Sequence, residues 1–210
     1  NSDNDYELKV LNLKDSTISS TGVTINKQDF SFKPIHFFEF KGKTHFVVGN
    51  TGAPRISTLW STDGTSANTK KLFSENFAFT DIFAASNFII LNVGNPTLGF
   101  EPYVSDGTQS APTLLKDIHP GNNHSYVKYL TLHNNLVYFS ADNGTQGAEL
   151  WKTDGTKAGT VMVKDFNVGK NGTIPGELIS FNSELYFYGI NPVDNKYTVF
   201  RTNKSDTSII

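Results

Sequence analysis

Asp-Gly-Thr occurs three times in the 210-residue chain, at Asp63, Asp106 and Asp154, each time setting a carboxylate beside a glycine and a hydroxyl. Two chemistries suit that set. A carboxylate in a glycine-containing loop can ligate calcium through oxygen. It can instead accept hydrogen bonds from the backbone and hydroxyl that follow it, closing an Asx-type turn. Recurrence at one place in every copy favours the turn. The stretch ADNGTQGAEL adds a second calcium candidate, in which Asp142, Asn143 and Glu149 would share the ion with backbone carbonyls. It lacks the alternating acidic residues and later bidentate Glu of an EF-hand loop. Glu101 and Glu149 stand at equivalent places before an aromatic, which suggests a structural role on a neighbouring backbone or a Lys.

Other chemistries find little support. The histidines, His36, His45, His119, His124 and His133, show no HExxH spacing, and only His119 and His124 share a loop, five residues apart. There is no Gly-x-Ser-x-Gly and no Gly-rich phosphate loop. A carboxylate pair for glycoside hydrolysis would have to come from distant regions of the chain, and Asp63, Glu101, Asp106, Asp117, Glu149, Asp154 and Asp165 already sit inside recurring motifs. No cysteine is present, which removes disulfides, thiolate metal sites and cysteine nucleophiles.

The composition is that of a globular chain, with 37% apolar residues, 13% aromatics and a net charge of -2. Scattered Lys and Arg give no basic stripe, so nucleic acid is not an expected partner. No apolar run approaches the roughly 18 residues of a membrane helix, so membrane insertion is not expected. The opening NSDNDYELKV does not read as a signal peptide, which leaves a cytosolic chain or the mature form of an exported one; abundant Asn, Ser, Thr and Gly favour export. Sequons at Asn123, Asn143, Asn171 and Asn203 are read as chance in so Asn-rich a sequence.

The elements that must position these groups repeat as well. LWSTDGT, PYVSDGT and LWKTDGT, with a degenerate VFRTNKS, recur at intervals of roughly 43 to 49 residues, a period that indicates several short elements per unit. Each copy holds two β-rich runs around a tight polar turn, then a strand carrying Trp60, Tyr103, Trp151 or Phe200. A second turn at Asp63-Gly64, Asp106-Gly107 or Asp154-Gly155 then leads to a fourth strand. The expected fold is all-β: a β-propeller of about four blades, each a four-stranded antiparallel sheet, as a closed ring or a portion of a larger propeller. The repeated aromatic would pack between neighbouring blades. The repeats run approximately over 34–79, 80–125, 126–175 and 176–210, with residues 15–34 as a connecting loop. The last copy reads as almost lacking its fourth strand, with only TSII left for it. Residues 6–15 resemble such a strand and would supply it as an outer strand, closing the ring, unless the chain is a segment of a longer array.

GAELWKTDGTKAGTVMVKDFNVG resembles the ELWxxDGTxxGT repeat of secreted and cell-surface bacterial proteins. The third copy matches through Glu149, Leu150, Trp151, Asp154, Gly155, Thr156, Gly159, Thr160, Lys164 and Asp165. The second keeps Glu101 and Asp106-Gly107-Thr108 but has Pro102-Tyr103 for Leu-Trp, and the first has Thr58 in place of the Glu. The fourth has lost Asp-Gly-Thr. The resemblance implies export, with type IX secretion as the route, and a place in large adhesive or envelope proteins, often of Bacteroidota. It implies no reaction, and no cofactor is expected, with calcium at the acidic loops named above as the alternative.

The expectation is therefore a non-enzymatic exported module for protein interaction or adhesion at the cell surface. Its rivals are a glycan-binding or glycan-cleaving propeller and a structural segment of a long surface protein. Binding would use the stretches that differ between copies, GNTGAPRIST, NVGNPTLGFE and GINPVDNKYT, with Arg55, Phe100 and Tyr197 as contacts for a protein or glycan partner.

Overall fold

The computed structural model describes residues 5–11, 14–26, 36–49, 57–73, 78–108, 110–202 and 207–209. These form 18 strands and no helix. The chain divides into two compact units, one of residues up to Ala78 with Ser105–Pro112, the other of Phe79–Val104 with Thr113–Ile210.

In the first unit, β1 (Asp5–Leu11) and β2 (Ile18–Asn26) form an antiparallel pair, with Leu11 opposite Ile18. This corrects two expectations. Residues 6–15 do not provide an outer strand for the last sheet, and the connector 15–34 contains a strand. The cause is local: Asp15 Oδ1 accepts from the N–H and the hydroxyl of Thr17, which turns the chain, and the β-branched residues of ISSTGVTIN favour extension back along β1. The same unit holds the sheet of β3 (His36–Phe40), β4 (Lys43–Gly49), β5 (Ser57–Thr62) and β6 (Lys70–Phe73), paired in chain order. Trp60 on β5 stacks on Phe46 at 6.1 Å.

The second unit contains three further four-stranded antiparallel sheets. The first comprises β7 (Ala78–Ala84), β8 (Ile89–Asn95), β9 (Gly99–Ser105) and β10 (Thr113–Leu114). The next comprises β11 (Lys128–His133), β12 (Leu136–Asp142), β13 (Ala148–Thr153) and β14 (Val161–Lys164). The last comprises β15 (Gly176–Phe181), β16 (Glu184–Ile190), β17 (Tyr197–Thr202) and β18 (Thr207–Ile209). The final fourth strand thus comes from TSI itself, with Ile209 opposite Phe200.

Apolar alternation explains how these sheets stack. Along β16, Leu185 and Phe187 are buried between more open Glu184, Tyr186 and Tyr188, as a two-residue period requires. The buried face meets the preceding sheet: Phe200, parallel to Phe187 at 4.9 Å, packs in one cluster with Leu150 of β13 and with Tyr138 of β12. Trp151 likewise packs with Phe139 of its own sheet and with Ile118 and Val127 of the connector before it, and its indole N–H donates to the Ala141 carbonyl at 3.0 Å. In this unit Phe200 therefore fills the space between successive sheets, and Trp151 the space between its own sheet and the connector before it.

Candidate functional site

The Asp-Gly-Thr turns are closed. Asp63, Asp106 and Asp154 each use Oδ1 to accept from the backbone N–H and the hydroxyl of the Thr two residues on, at 2.7–3.0 Å. Those bonds hold the Asp63 and Asp154 carboxyls below the usual carboxylate range, the Thr hydroxyl having the largest effect. The turn is larger than the tight hairpin expected, because β13 ends at Thr153 and β14 starts only at Val161. Thr153 and Thr160 bridge the loop through their hydroxyls at 2.8 Å, as Thr62 and Thr69 do at 2.6 Å. Gly64, Gly107 and Gly155 all have positive φ. At Gly155, φ is +89° and a Cβ would come within 2.7 Å of the Phe88 ring, so both conformation and space call for glycine.

Glu101 and Glu149 point inward and are fully buried. Glu101 accepts from the N–H groups of Ile118 and His119 at 2.8 and 3.1 Å. Glu149 accepts from the N–H and hydroxyl of Thr173 at 2.8 and 3.1 Å, and from the N–H groups of Phe166 and Asn167 at 3.4 Å. Each carboxyl thus clamps the connector that leaves its own sheet. Burial pushes both up to about 7, against the opposing pull of those donors.

The calcium candidates have separate partners. Asp142 Oδ1 accepts from Gly144 N–H, Asn143 Oδ1 accepts from Thr145 and Gln146, and Glu149 faces the connector. Among the described residues, no group of three His, Cys, Asp or Glu side chains comes together to hold a metal ion. His119 and His124 are engaged with backbone: His119 Nδ1 donates to the His124 carbonyl at 3.1 Å, and His124 Nδ1 accepts from Phe100 N–H at 3.0 Å.

Of the three contact residues expected from sequence, Arg55 lies outside the described residues, and the other two fall in different clusters. The divergent stretches around them are short: β8 runs to Asn95, whose Oδ1 accepts from Thr97 and Leu98 in a turn that leads directly into β9. Phe100 is half-buried. Its ring lies across Gly94, where a Cβ would meet it at 2.7 Å, and it meets His124 edge-on at 5.3 Å. Together with Thr80, Asn92, His124, Tyr126 and Lys128 it borders a hollow of about 290 Å³. Tyr126 is 58% exposed and stands edge-on to His124 at 5.8 Å.

Tyr197 is 67% exposed and meets Tyr188 edge-on at 5.8 Å. Tyr188 in turn lies close enough to Tyr129 that the neighbouring phenol raises the pKa of Tyr188, ahead of burial. Val199, opposite Tyr188 in the ladder and half exposed, continues this aromatic surface. A third feature, in the first unit, is a hollow of about 360 Å³ bordered by Lys9, Phe37, Thr44 and Asp63. Nothing in the sequence marks Tyr126, Tyr129 or Tyr188 as surface residues, because exposure depends on which strand face looks outward. The one available signal is that Tyr126 is replaced by Ile174 in the next copy.

Fold and site together define an all-β protein of propeller-like four-stranded sheets, whose repeated polar residues serve the scaffold and whose non-repeated aromatics reach the surface. No family model matches the chain, and no curated protein matches it. Among solved structures it is similar to a puromycin hydrolase mutant complexed with PGG, at 16% identity and a TM-score of 0.54. The match covers 79% of this chain and 26% of that one, and at this identity it speaks for the fold alone.

Proposed function

We propose that the chain is a non-enzymatic, exported bacterial module that binds a protein or glycan partner at the cell surface, and that its four-stranded sheets are blades of one β-propeller, either complete or a portion of a larger one. The observation that carries this reading is the surface of Tyr129, Tyr188 and Tyr197, three partly exposed tyrosines side by side on a scaffold whose Asp-Gly-Thr carboxylates and buried glutamates are already paired. Tyrosine combines a large apolar face with a polar tip and little side-chain entropy, so clustered exposed tyrosines suit recognition. The Asp-Gly-Thr carboxylates and both buried glutamates are held by their own turns and connectors, which supports a scaffold role for them over a catalytic one.

Two measurements test the proposal. Protease treatment of intact producing cells should remove the chain without lysis, and purified protein should bind those cells, with the Tyr188→Ser and Tyr197→Ser pair lowering binding by about tenfold or more. Protection from the protease, or undiminished binding by the double variant, would overturn it.

A further inference from the structure

The hollow beside Phe100 is a different place from the tyrosine surface and has its own chemistry. Its wall is aromatic and its floor polar. Asn92 on β8 is 4% exposed, and its Nδ2 donates to Thr80 Oγ1 at 2.6 Å while its Oδ1 has no partner. Turning the amide over would only exchange an unpaired acceptor for an unpaired donor, so a buried polar atom is left without a partner either way. Such atoms are few in a folded protein and call for an explanation. Asp117 Oδ1 and Asp165 Oδ1 are two others, and of these three residues it is Asn92 that borders the hollow, where an entering group can complete its bonding. Thr80 is exposed; because its oxygen accepts from Asn92, its own O–H remains to donate. His124 Nδ1 accepts from Phe100 N–H, which places the ring proton on Nε2 and makes that nitrogen a donor. At the rim stand one carboxylate, Asp81, and one ammonium, Lys128, so the hollow requires no net charge of what enters it.

Tyr126 completes the set. Its φ of +51° is matched by +53° at Ile174, so the left-handed backbone belongs to the repeat, and what is particular to this copy is an exposed aromatic ring held by that backbone. A ring face beside donors and acceptors of both kinds, without net charge, suits a molecule with one apolar face and many hydroxyls, each able to donate and accept. We propose that this hollow binds a neutral pyranose unit of a glycan. The C–H face of the sugar lies against Tyr126, and its hydroxyls bond to Asn92, Thr80 and His124. The inference rests on the reading of the chain as a binding module and adds a site and a ligand class to it.

The test is saturation-transfer NMR of the whole chain with the methyl glycosides of glucose, galactose, mannose and N-acetylglucosamine. At least one should show saturation of its ring C–H protons, with a Kd of about 1–10 mM, as expected for one sugar ring in an open site. Tyr126→Ala should weaken it about tenfold or more, whereas Tyr126→Phe should keep it within about threefold, because the ring face is retained. Asn92→Ala should also weaken it, and near-ultraviolet circular dichroism of that variant checks that the fold persists. No saturation with any of the four sugars, or equal binding by Tyr126→Ala, overturns the site. If that happens while cell binding still depends on Tyr188 and Tyr197, the sugar site fails and the binding-module reading stands; loss of both results removes both.

Discussion

Thr173 gives both its backbone N–H and its hydroxyl to one oxygen of Glu149, at 2.8 and 3.1 Å, although 24 residues separate them. The backbone carbonyl of Thr173 meanwhile accepts from Ile190 N–H at 2.7 Å, and the neighbouring Ile174 N–H donates to Ala148 O at 2.8 Å. One residue pair therefore fastens a connector to the sheet before it and to the sheet after it. Glu101 has the same role in the preceding repeat, where Ser125 N–H donates to Phe100 O and Asp142 N–H donates to Ser125 O.

Removing the acceptor should be costly. Glu149→Ala leaves the buried N–H of Thr173 unpaired together with its hydroxyl, and is expected to lower stability by about 3 kcal/mol. Glu149→Gln retains one carbonyl oxygen but sets an amide N–H₂ against backbone donors, so its expected loss is about 1–2 kcal/mol. Urea denaturation of the two variants checks the order, and an alanine variant as stable as the parent would show that the clamp contributes nothing.

The pH dependence has a definite sign. Because burial raises Glu149 to about 7, above its unfolded value near 4.5, the native state holds a proton that the unfolded chain has released between those limits. That contribution is complete below 4.5 and is lost as pH rises through 7. The stability of the parent relative to Glu149→Gln should therefore fall by about 1–3 kcal/mol from about pH 5 to about pH 8, enough to close or reverse the gap between them. His133 works the other way: burial lowers its pKa, so its contribution is present above 6.5 and lost as pH falls. Glu101, also raised to about 7, adds to the first effect and His45, lowered by burial, to the second, so the parent alone would show only their balance and the gap to the Gln variant is the quantity to measure. A parent that gains stability relative to the Gln variant as pH rises would contradict the assignment.

At the third Asp-Gly-Thr turn, two neighbouring changes should differ in size. Asp154→Ala removes the acceptor for Thr156 N–H and hydroxyl in an exposed loop, at a cost of about 1 kcal/mol. Gly155→Ala forces φ of +89° on a side chain and pushes a Cβ against Phe88, so about 2 kcal/mol or more is expected. Thermal melts of both variants rank them; a milder effect at Gly155 would mean that the loop shifts away from the ring.

The repeat period made the strand-turn-strand order readable, since alternation and Asp-Gly-Thr spacing are properties of adjacent residues. What stayed hidden depended on competition between segments. The β1 strand resembles a fourth strand in composition, yet it pairs with β2 because the Asp15–Thr17 turn brings a nearer partner alongside. The inward aim of Glu101 was only partly legible: its recurrence suggested a structural role, but its partners are the backbone N–H groups of Ile118 and His119, and side-chain types do not say which N–H groups of a connector face a carboxylate. The hollow beside Phe100 was not legible at all, because Thr80, Asn92 and Tyr126 come from β7, β8 and the segment before β11, and no spacing rule joins them.

Lys116 offers a test of the coupling between successive sheets. It follows β10, and its ammonium donates to the carbonyl of Thr160 at 2.8 Å, in the turn loop of the next sheet, while standing 5.6 Å from the centre of the Trp151 ring. Thr160 is also the residue whose hydroxyl bridges to Thr153 and donates to the Thr156 carbonyl. One ammonium therefore steadies both the closing residue of the Asp-Gly-Thr loop and the aromatic that fills the layer. Lys116→Met keeps much of the aliphatic stem and removes the charge, so the expected loss of about 1–2 kcal/mol reports the charged hydrogen bond and the ring contact, not packing. If the bond supports the loop, Lys116→Met and Asp154→Ala should not be additive, with a coupling of about 0.5–1 kcal/mol in a double-mutant cycle by urea denaturation. Strict additivity would mean that the loop holds its shape through Asp154 and the two threonines alone, and that Lys116 acts only on Trp151.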